Sequence, residues 1–230
     1  MGGRGSSSGR AQGIDLLPGA NDPELTDAIS DYYLPADVRA KLGQISQIKT
    51  YNDLQAYLGQ NGIELDTDVD SLKGSEGDNV HPAIAEQAQK IAVAVETYKS
   101  TFGNDSLKAL KRVKVYDKSL DTTGAFHYNE KGENDPLAGT MRIRDWSVSG
   151  HDIYHELAHA MQTSRAKSGE DTLQYSDRIM KKYGKKLNVK YSGNNSKVYN
   201  AEVMAESISN GFTQGGSEYV DLINYLRKRK

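Results

Sequence analysis

Apolar residues recur at three- and four-residue steps over several stretches of the chain and at two-residue steps over three others, with glycine, proline and polar runs between them. From Pro23 the pattern is helical through Leu25, Ala28 and Ile29 and again through Leu34, Val38 and Leu42, and Pro35 divides it into two short helices or a helix and a turn. Thr50, with Asp53 three residues on, caps a short helix through Leu54, Tyr57 and Leu58 that Asn61-Gly62 ends. Ile63 to Gly77 carries Asp66, Asp68 and Asp70 and then Gly74 and Gly77. It is expected to be a solvated loop, because a calcium loop of the EF-hand type needs glycine at its sixth position and glutamate at its twelfth.

The longest expected helix is Pro82 to Phe102, with Ile84, Ala88, Ile91, Ala92, Val95 and Tyr98 along it and Gly103 closing it. Alternation predicts strands at Arg112 to Tyr116, at Gly124 to Tyr128 and at Thr140 to Arg144, where Met141 and Ile143 interleave with Arg142 and Arg144. After Trp146 the pattern is helical over Gly150 to Ser164, Glu170 to Lys182, Tyr199 to Phe212 and Ser217 to Arg227. One long helix, a small sheet and a set of helices define an α+β fold over residues 80–230. Before it lie a Gly/Ser/Arg-rich flexible leader at 1–22 and a helical region at 23–79.

Composition narrows the functional classes. The 230 residues, 37% hydrophobic and 26% charged, suit one large domain or one with a smaller companion. Fourteen tyrosines against three phenylalanines and one tryptophan, with a mean hydropathy of −0.69, describe a core thin for the length. A net charge of −2 supplies no global attraction to nucleic acid or to an anionic membrane. The terminal Arg227-Lys228-Arg229-Lys230 run reads as cations at a helix C-terminus. No apolar run reaches the ~18 residues a membrane span requires, and Met1 to Arg10 lacks the apolar core of a signal peptide, so a soluble chain is expected. With no cysteine, a metal site must be built from His, Asp and Glu.

The segment that carries chemistry is Ser149 to Met161, which contains His155-Glu156-Leu157-Ala158-His159. Ser149 and Asp152 form a capping box that starts a helix just before it. His155 and His159 then lie on one face, ~6 Å apart along the axis, where two imidazoles can close on one ion. Ile153, Leu157, Ala160 and Met161 fall on the opposite arc. Glu156 sits ~100° round from His155, placed to reach a metal-bound water rather than the metal. This is the His-Glu-x-x-His arrangement of zinc metallopeptidases. A catalytic zinc usually has three protein ligands, and the Tyr199 to Ile208 stretch supplies two candidates for the third, Glu202 and Glu206, one turn apart. His151 lies ~12 Å along the axis from His159 and cannot share one metal with both histidines. His81 and His127 have no partner at ligand spacing.

The two histidines, followed 43 residues after His159 by Glu202-Val203-Met204-Ala205-Glu206, resemble the zincin metallopeptidases with a glutamate third ligand, and most closely the family of the anthrax lethal factor catalytic domain. The phage-repressor-cleaving peptidases are a second resemblance, although their third ligand usually follows sooner. The resemblance covers about the last third of the chain. It implies a zincin-like fold and one zinc per chain on His155, His159 and Glu202. Glu156 would be the general base and later the proton donor, and Glu206 a carboxylate that holds a histidine or the helix in place. A tyrosine that steadies the tetrahedral intermediate is also implied, and Tyr191 and Tyr199 both remain open for that role. The reaction implied is hydrolysis of a protein or peptide substrate, with Thr140 to Arg144 as the cleft-edge strand that pairs it. The Met1-Gly2-Gly3-Arg4-Gly5-Ser6-Ser7-Ser8-Gly9 opening resembles the starts of proteins encoded among phage and prophage head genes. That implies virion proteins as partners and a location in the bacterial cytoplasm or on the virion. The rival expectation is a non-catalytic phage structural or partner-binding protein in which zinc only staples two helices.

Overall fold

The structure, a computed structural model, describes residues 34–67, 82–117, 119–129, 134–145, 148–183, 199–215 and 217–228. The expected leader, the helix begun at Pro23, the Asp68 to Gly77 part of the acidic stretch, His81, Trp146, Tyr191 and Arg229-Lys230 lie outside the described residues.

Helix α1 (Ala36–Ile45) starts directly after Pro35, and α2 (Tyr51–Gln60) starts at the expected capping box. In that box the Thr50 hydroxyl accepts from the Asp53 N–H at 3.1 Å and the Asp53 carboxylate accepts from the Thr50 N–H at 2.9 Å. Gly62, at a φ of 71°, turns the chain into strand β1 (Glu64–Thr67). This strand replaces the loop expected from Ile63. Buried Ile63 and Leu65 alternate with exposed Glu64, and the strand pairs in parallel with its neighbour from Glu64↔Arg112 to Thr67↔Val115. An edge strand needs only one apolar face, so two apolar residues among carboxylates suffice. Helix α3 (Pro82–Phe102) makes the crossover between the two parallel strands, and its Ala88, Ile91, Ala92, Val95 and Tyr98 are fully buried.

The sheet adds β2 (Arg112–Val115), β3 (Gly124–Phe126) and β4 (Thr140–Ile143) in the order β1-β2-β4-β3. β1, β2 and β4 are parallel and β3 runs antiparallel at the edge. β2 stops at Val115 because Tyr116 takes a φ of 61°, outside any strand conformation. Gly139, at a φ of 85°, leads into β4, and a Cβ there would sit 2.7 Å from the Ala109 carbonyl oxygen. Val113, Val115, Phe126, Met141 and Ile143 are buried with the helices in one hydrophobic cluster.

The opposite face of the sheet carries Arg112, Lys114 and Arg142. There Arg142 donates to Asp117 at 2.7 Å, and its guanidinium lies 3.3 Å from His127 Nε2. Because arginine only donates, His127 Nε2 accepts and Nδ1–H is left for Asp135 at 2.9 Å. His127 is thus a sheet-face residue, away from the histidine motif.

The order of strands corrects one expectation. Thr140 to Ile143 lies between β2 and β3, so β4 is an interior strand and β3 is the edge. Alternation reports which face each residue takes and says nothing about which strands flank it.

Four helices complete the α+β fold: α4 (Gly150–Arg165), α5 (Thr172–Tyr183), α6 (Tyr199–Thr213) and α7 (Ser217–Arg227). α4 packs most extensively on α6. Tyr98, Phe102, Tyr154 and Phe212 form an aromatic cluster between α3, α4 and α6, with ring centroids 5.2–6.1 Å apart. Gly211 lets α7 close on α6, since a Cβ there would lie 2.6 Å from the Ile223 side chain. Arg165 donates to the Leu226 and Phe102 carbonyls and so ties the ends of α7 and α3 to the end of α4. Among the described residues no helix is long and apolar enough to cross a membrane.

Candidate metal centre

The Ser149 capping box fixes where α4 begins: the Ser149 hydroxyl accepts from the Asp152 N–H at 3.1 Å. The register of the helix then follows. Ile153, Leu157, Ala160 and Met161 are buried, and each large apolar side chain so buried contributes roughly 1.5–3 kcal/mol. α4 is therefore held by its core face, and His155 and His159 project from the other side with their Nε2 atoms 3.2 Å apart. From α6, Glu202 brings one carboxylate oxygen to 3.2 Å from His155 Nε2 and the other to 3.4 Å from His159 Nε2. These three residues offer one ligand atom each and can hold a metal ion.

Glu206, one turn further along α6, occupies a different place. Its Oε2 lies 3.4 Å from His155 Nδ1, the ring nitrogen that faces away from the three-residue cluster. Its Oε1 accepts from Asn210 Nδ2 at 3.2 Å and lies 3.4 Å from His151 Nε2, which is 3.1 Å from Asn210 Oδ1. Glu206 thus bridges two histidines from behind. His151, as its spacing requires, is absent from the three-residue cluster.

Glu156 leans from α4 toward the sheet edge, where a Cβ at Gly124 would meet its Cγ at 3.1 Å and its Oε1 at 3.5 Å. The backbone N–H of Phe126 hydrogen-bonds its carboxylate. The missing side chain at Gly124 is what lets the acid lie against β3.

The electrostatics follow from this packing. Burial works against a charged His155, yet the Glu202 and Glu206 carboxylates overcome it and raise the ring to about 10. Burial likewise opposes ionisation of Glu202, but hydrogen bonds from both histidines hold it well below the usual carboxylate range. Glu206 is also lowered, first by His151 and then by His155. His151 is raised, chiefly by its contact with Glu206. Glu156 moves the other way: burial raises it, against the lowering influence of His159 and His155. The metal-free cluster therefore balances its carboxylates with a proton on His155, and a cation that enters must displace that proton.

One tyrosine starts the helix that carries Glu202, and another lies beside His159. Tyr199 starts α6 one turn before Glu202 and is 44% exposed. Tyr128, which the sequence did not single out, follows β3, and its ring centroid lies 6.2 Å from that of His159. The signal for it was present, since Phe126 and Tyr128 share one side of an alternating pattern. Gln162, three residues after His159, was missed as well; it is fully buried and hydrogen-bonds His159.

No protein-family model, curated protein or solved structure matches this chain, so the site's own geometry carries the functional argument.

The placement of the two carboxylates predicts unequal effects. Glu202→Gln removes a ligand and should abolish stoichiometric metal binding. Glu206→Gln leaves the ligand set intact and should weaken binding by about 10- to 100-fold. Calorimetric titration with zinc separates the two, and equal loss in both variants would contradict the assignment.

Proposed function

We propose that the chain is a zinc-dependent endopeptidase of the zincin type. The observation that carries this reading is the spacing of the three ligand atoms. His155 Nε2 and His159 Nε2 stand 3.2 Å apart, and one Glu202 oxygen lies 3.2 Å from the first while the other lies 3.4 Å from the second. A tetrahedral ion with arms of about 2.0–2.1 Å places its ligands at ~3.3 Å from one another, so the two imidazole nitrogens stand at the spacing zinc asks for, and either Glu202 oxygen is at hand for the third corner. Three protein ligands leave the fourth corner for water, as in catalytic sites rather than structural ones.

When bound, zinc supplies a Lewis acid that polarises the scissile carbonyl and acidifies water at the open corner. Glu156 would take a proton as water adds to the scissile carbonyl carbon and would give it to the amide nitrogen as the C–N bond breaks, with Gly124 and the Phe126 N–H holding its carboxylate in place. Glu202 and Glu206 clamp His155 from its two ring nitrogens. Edge strand β3 orients the peptide. His127 N–H bonds Thr140 O and Arg144 N–H bonds Thr123 O, so the odd-numbered residues of this strand face β4. The main-chain groups of Gly124 and Phe126 then point away from β4; the Phe126 N–H is taken by Glu156 and the Gly124 carbonyl by the Thr122 hydroxyl at 2.8 Å, so an extended peptide would pair through the Gly124 N–H and the Phe126 carbonyl. This assigns to β3 the role expected of Thr140 to Arg144. A proline at Ile143 would now break an interior ladder and misfold the sheet.

The test is digestion of a peptide library by the zinc-loaded protein, read by mass spectrometry. Internal cleavages that vanish with chelator and return with zinc are expected, and an intact library beside one bound zinc per chain would refute the reading. Gly124→Val supplies a finer check. Its side chain pushes Glu156 off the edge strand, so zinc content should hold while kcat falls by about 100-fold, the cost of a misplacement near 1 Å. A proportionate loss of zinc would show that β3 supports the ligands rather than the acid.

A further inference from the structure

We propose that Gln162 is the positioning residue of this centre, fixing which nitrogen of His159 is free for the metal and fastening the helix that carries Glu202 to the helix that carries the histidines. The inference rests on the metal-site reading above and goes beyond its ligands.

Gln162 lies on α4 with no exposed surface. Its Nε2 donates to the Ala201 carbonyl at 2.9 Å, and a carbonyl can only accept, so the orientation of the amide is settled by its partner. The other end, Oε1, therefore faces His159 Nδ1 at 2.9 Å. Oε1 can only accept, so Nδ1 carries the hydrogen and the lone pair of the neutral ring is on Nε2. That is the nitrogen 3.2 Å from His155 Nε2 and 3.4 Å from Glu202. Ala201 directly precedes Glu202, so the same amide sets where α6 docks. The two histidines are thus oriented differently. His155 leans on the half-exposed carboxylate of Glu206, whereas His159 is held by an uncharged amide sealed from water. Removing that amide leaves the His159 Nδ1–H and the Ala201 carbonyl without this partner. The ring is then free to turn or to change tautomer.

Gln162→Leu and Gln162→Glu separate positioning from packing. Leucine fills the space without polar atoms. Glutamate still accepts from Nδ1–H but cannot donate to Ala201. Zinc affinity by chelator competition should fall about 10- to 100-fold in Gln162→Leu, which loses both contacts, and by less in Gln162→Glu, which loses only the tie to Ala201. Thermal unfolding of the metal-free protein should be lowered in both. Nitrogen-15 spectra of the metal-free wild type should show His159 with hydrogen on Nδ1, and Gln162→Leu should lose that signature. Equal affinity loss in the two variants, wild-type affinity in Gln162→Leu, or hydrogen on Nε2 in the wild type would each overturn the proposal. If Gln162→Leu does not fold, Gln162→Asn, one methylene shorter, serves the same comparison. A wild type that binds no zinc but shows the Nδ1 hydrogen, lost on substitution, would refute the metal reading and leave the orienting role standing.

Discussion

Glu156→Gln will bind about one zinc per chain and lose peptide hydrolysis by some 100- to 10,000-fold, the range a general base contributes, whereas His155→Ala will lose both. The difference follows from where the side chains point. His155 Nε2 stands 3.2 Å from both His159 Nε2 and a Glu202 oxygen, while Glu156 turns to the edge strand and rests against Gly124. Glutamine keeps the shape that packs there and can still lie beside the Phe126 N–H, but it cannot take a proton from water. Metal analysis and turnover on the same preparations decide the matter. If Glu156→Gln loses zinc as fully as His155→Ala, Glu156 is a ligand and its assignment as base is wrong.

The second large effect is on stability. Zinc at 1,000 times its dissociation constant stabilises the fold by ~4.1 kcal/mol, which for a chain of this size corresponds to a Tm about 8–16 °C above that of the chelated protein. This gap should depend on pH with a definite sign. In the metal-free protein His155 titrates at about 10, raised above the ~6.5 of an unfolded chain. Its contribution is therefore complete below ~6.5 and disappears as pH climbs through about 10. Glu202 and Glu206 are depressed, so their contribution is complete above the ordinary carboxylate range of ~4.3 and disappears as pH falls below it. Zinc must displace the His155 proton, so between pH 7 and 10 its affinity should rise by about tenfold per pH unit. Thermal scans with zinc and with chelator from pH 6 to 9 should show the gap widening with pH. A constant gap would contradict a site that holds a proton when empty.

Much of this was legible in the chain because the deciding interactions are local. The two capping boxes, at Thr50 with Asp53 and at Ser149 with Asp152, are complete within four residues each, and both start helices where the sequence places them. The second also fixes the face on which His155 and His159 project. The seam between α4 and α6 agrees with the expectation that a carboxylate from a later helix stands beside the two histidines. What the sequence did not reveal depends on neighbours distant in the chain. Met141 and Ile143 alternate with arginine in the same way in an interior strand as at an edge, so the place of β3 outside β4 was hidden. β1 was hidden because its two apolar residues stand among carboxylates and its partner β2 lies nearly fifty residues on. Gln162 was passed over because a glutamine on a helix reads as a surface residue until a carbonyl from another helix is found beside it. The room at Gly124 for the Glu156 side chain is likewise a fact of packing that no local pattern reports.

A zinc ion with one open corner would be seen in a crystal structure of the zinc-loaded protein with data collected at the zinc absorption edge. One anomalous peak is expected about 2.0–2.2 Å from His155 Nε2, His159 Nε2 and a Glu202 oxygen, with water at the fourth corner and Glu206 on the His155 Nδ1. An ion closed by a fourth protein ligand, or one held by Glu206 with Glu202 turned away, would contradict the proposed centre.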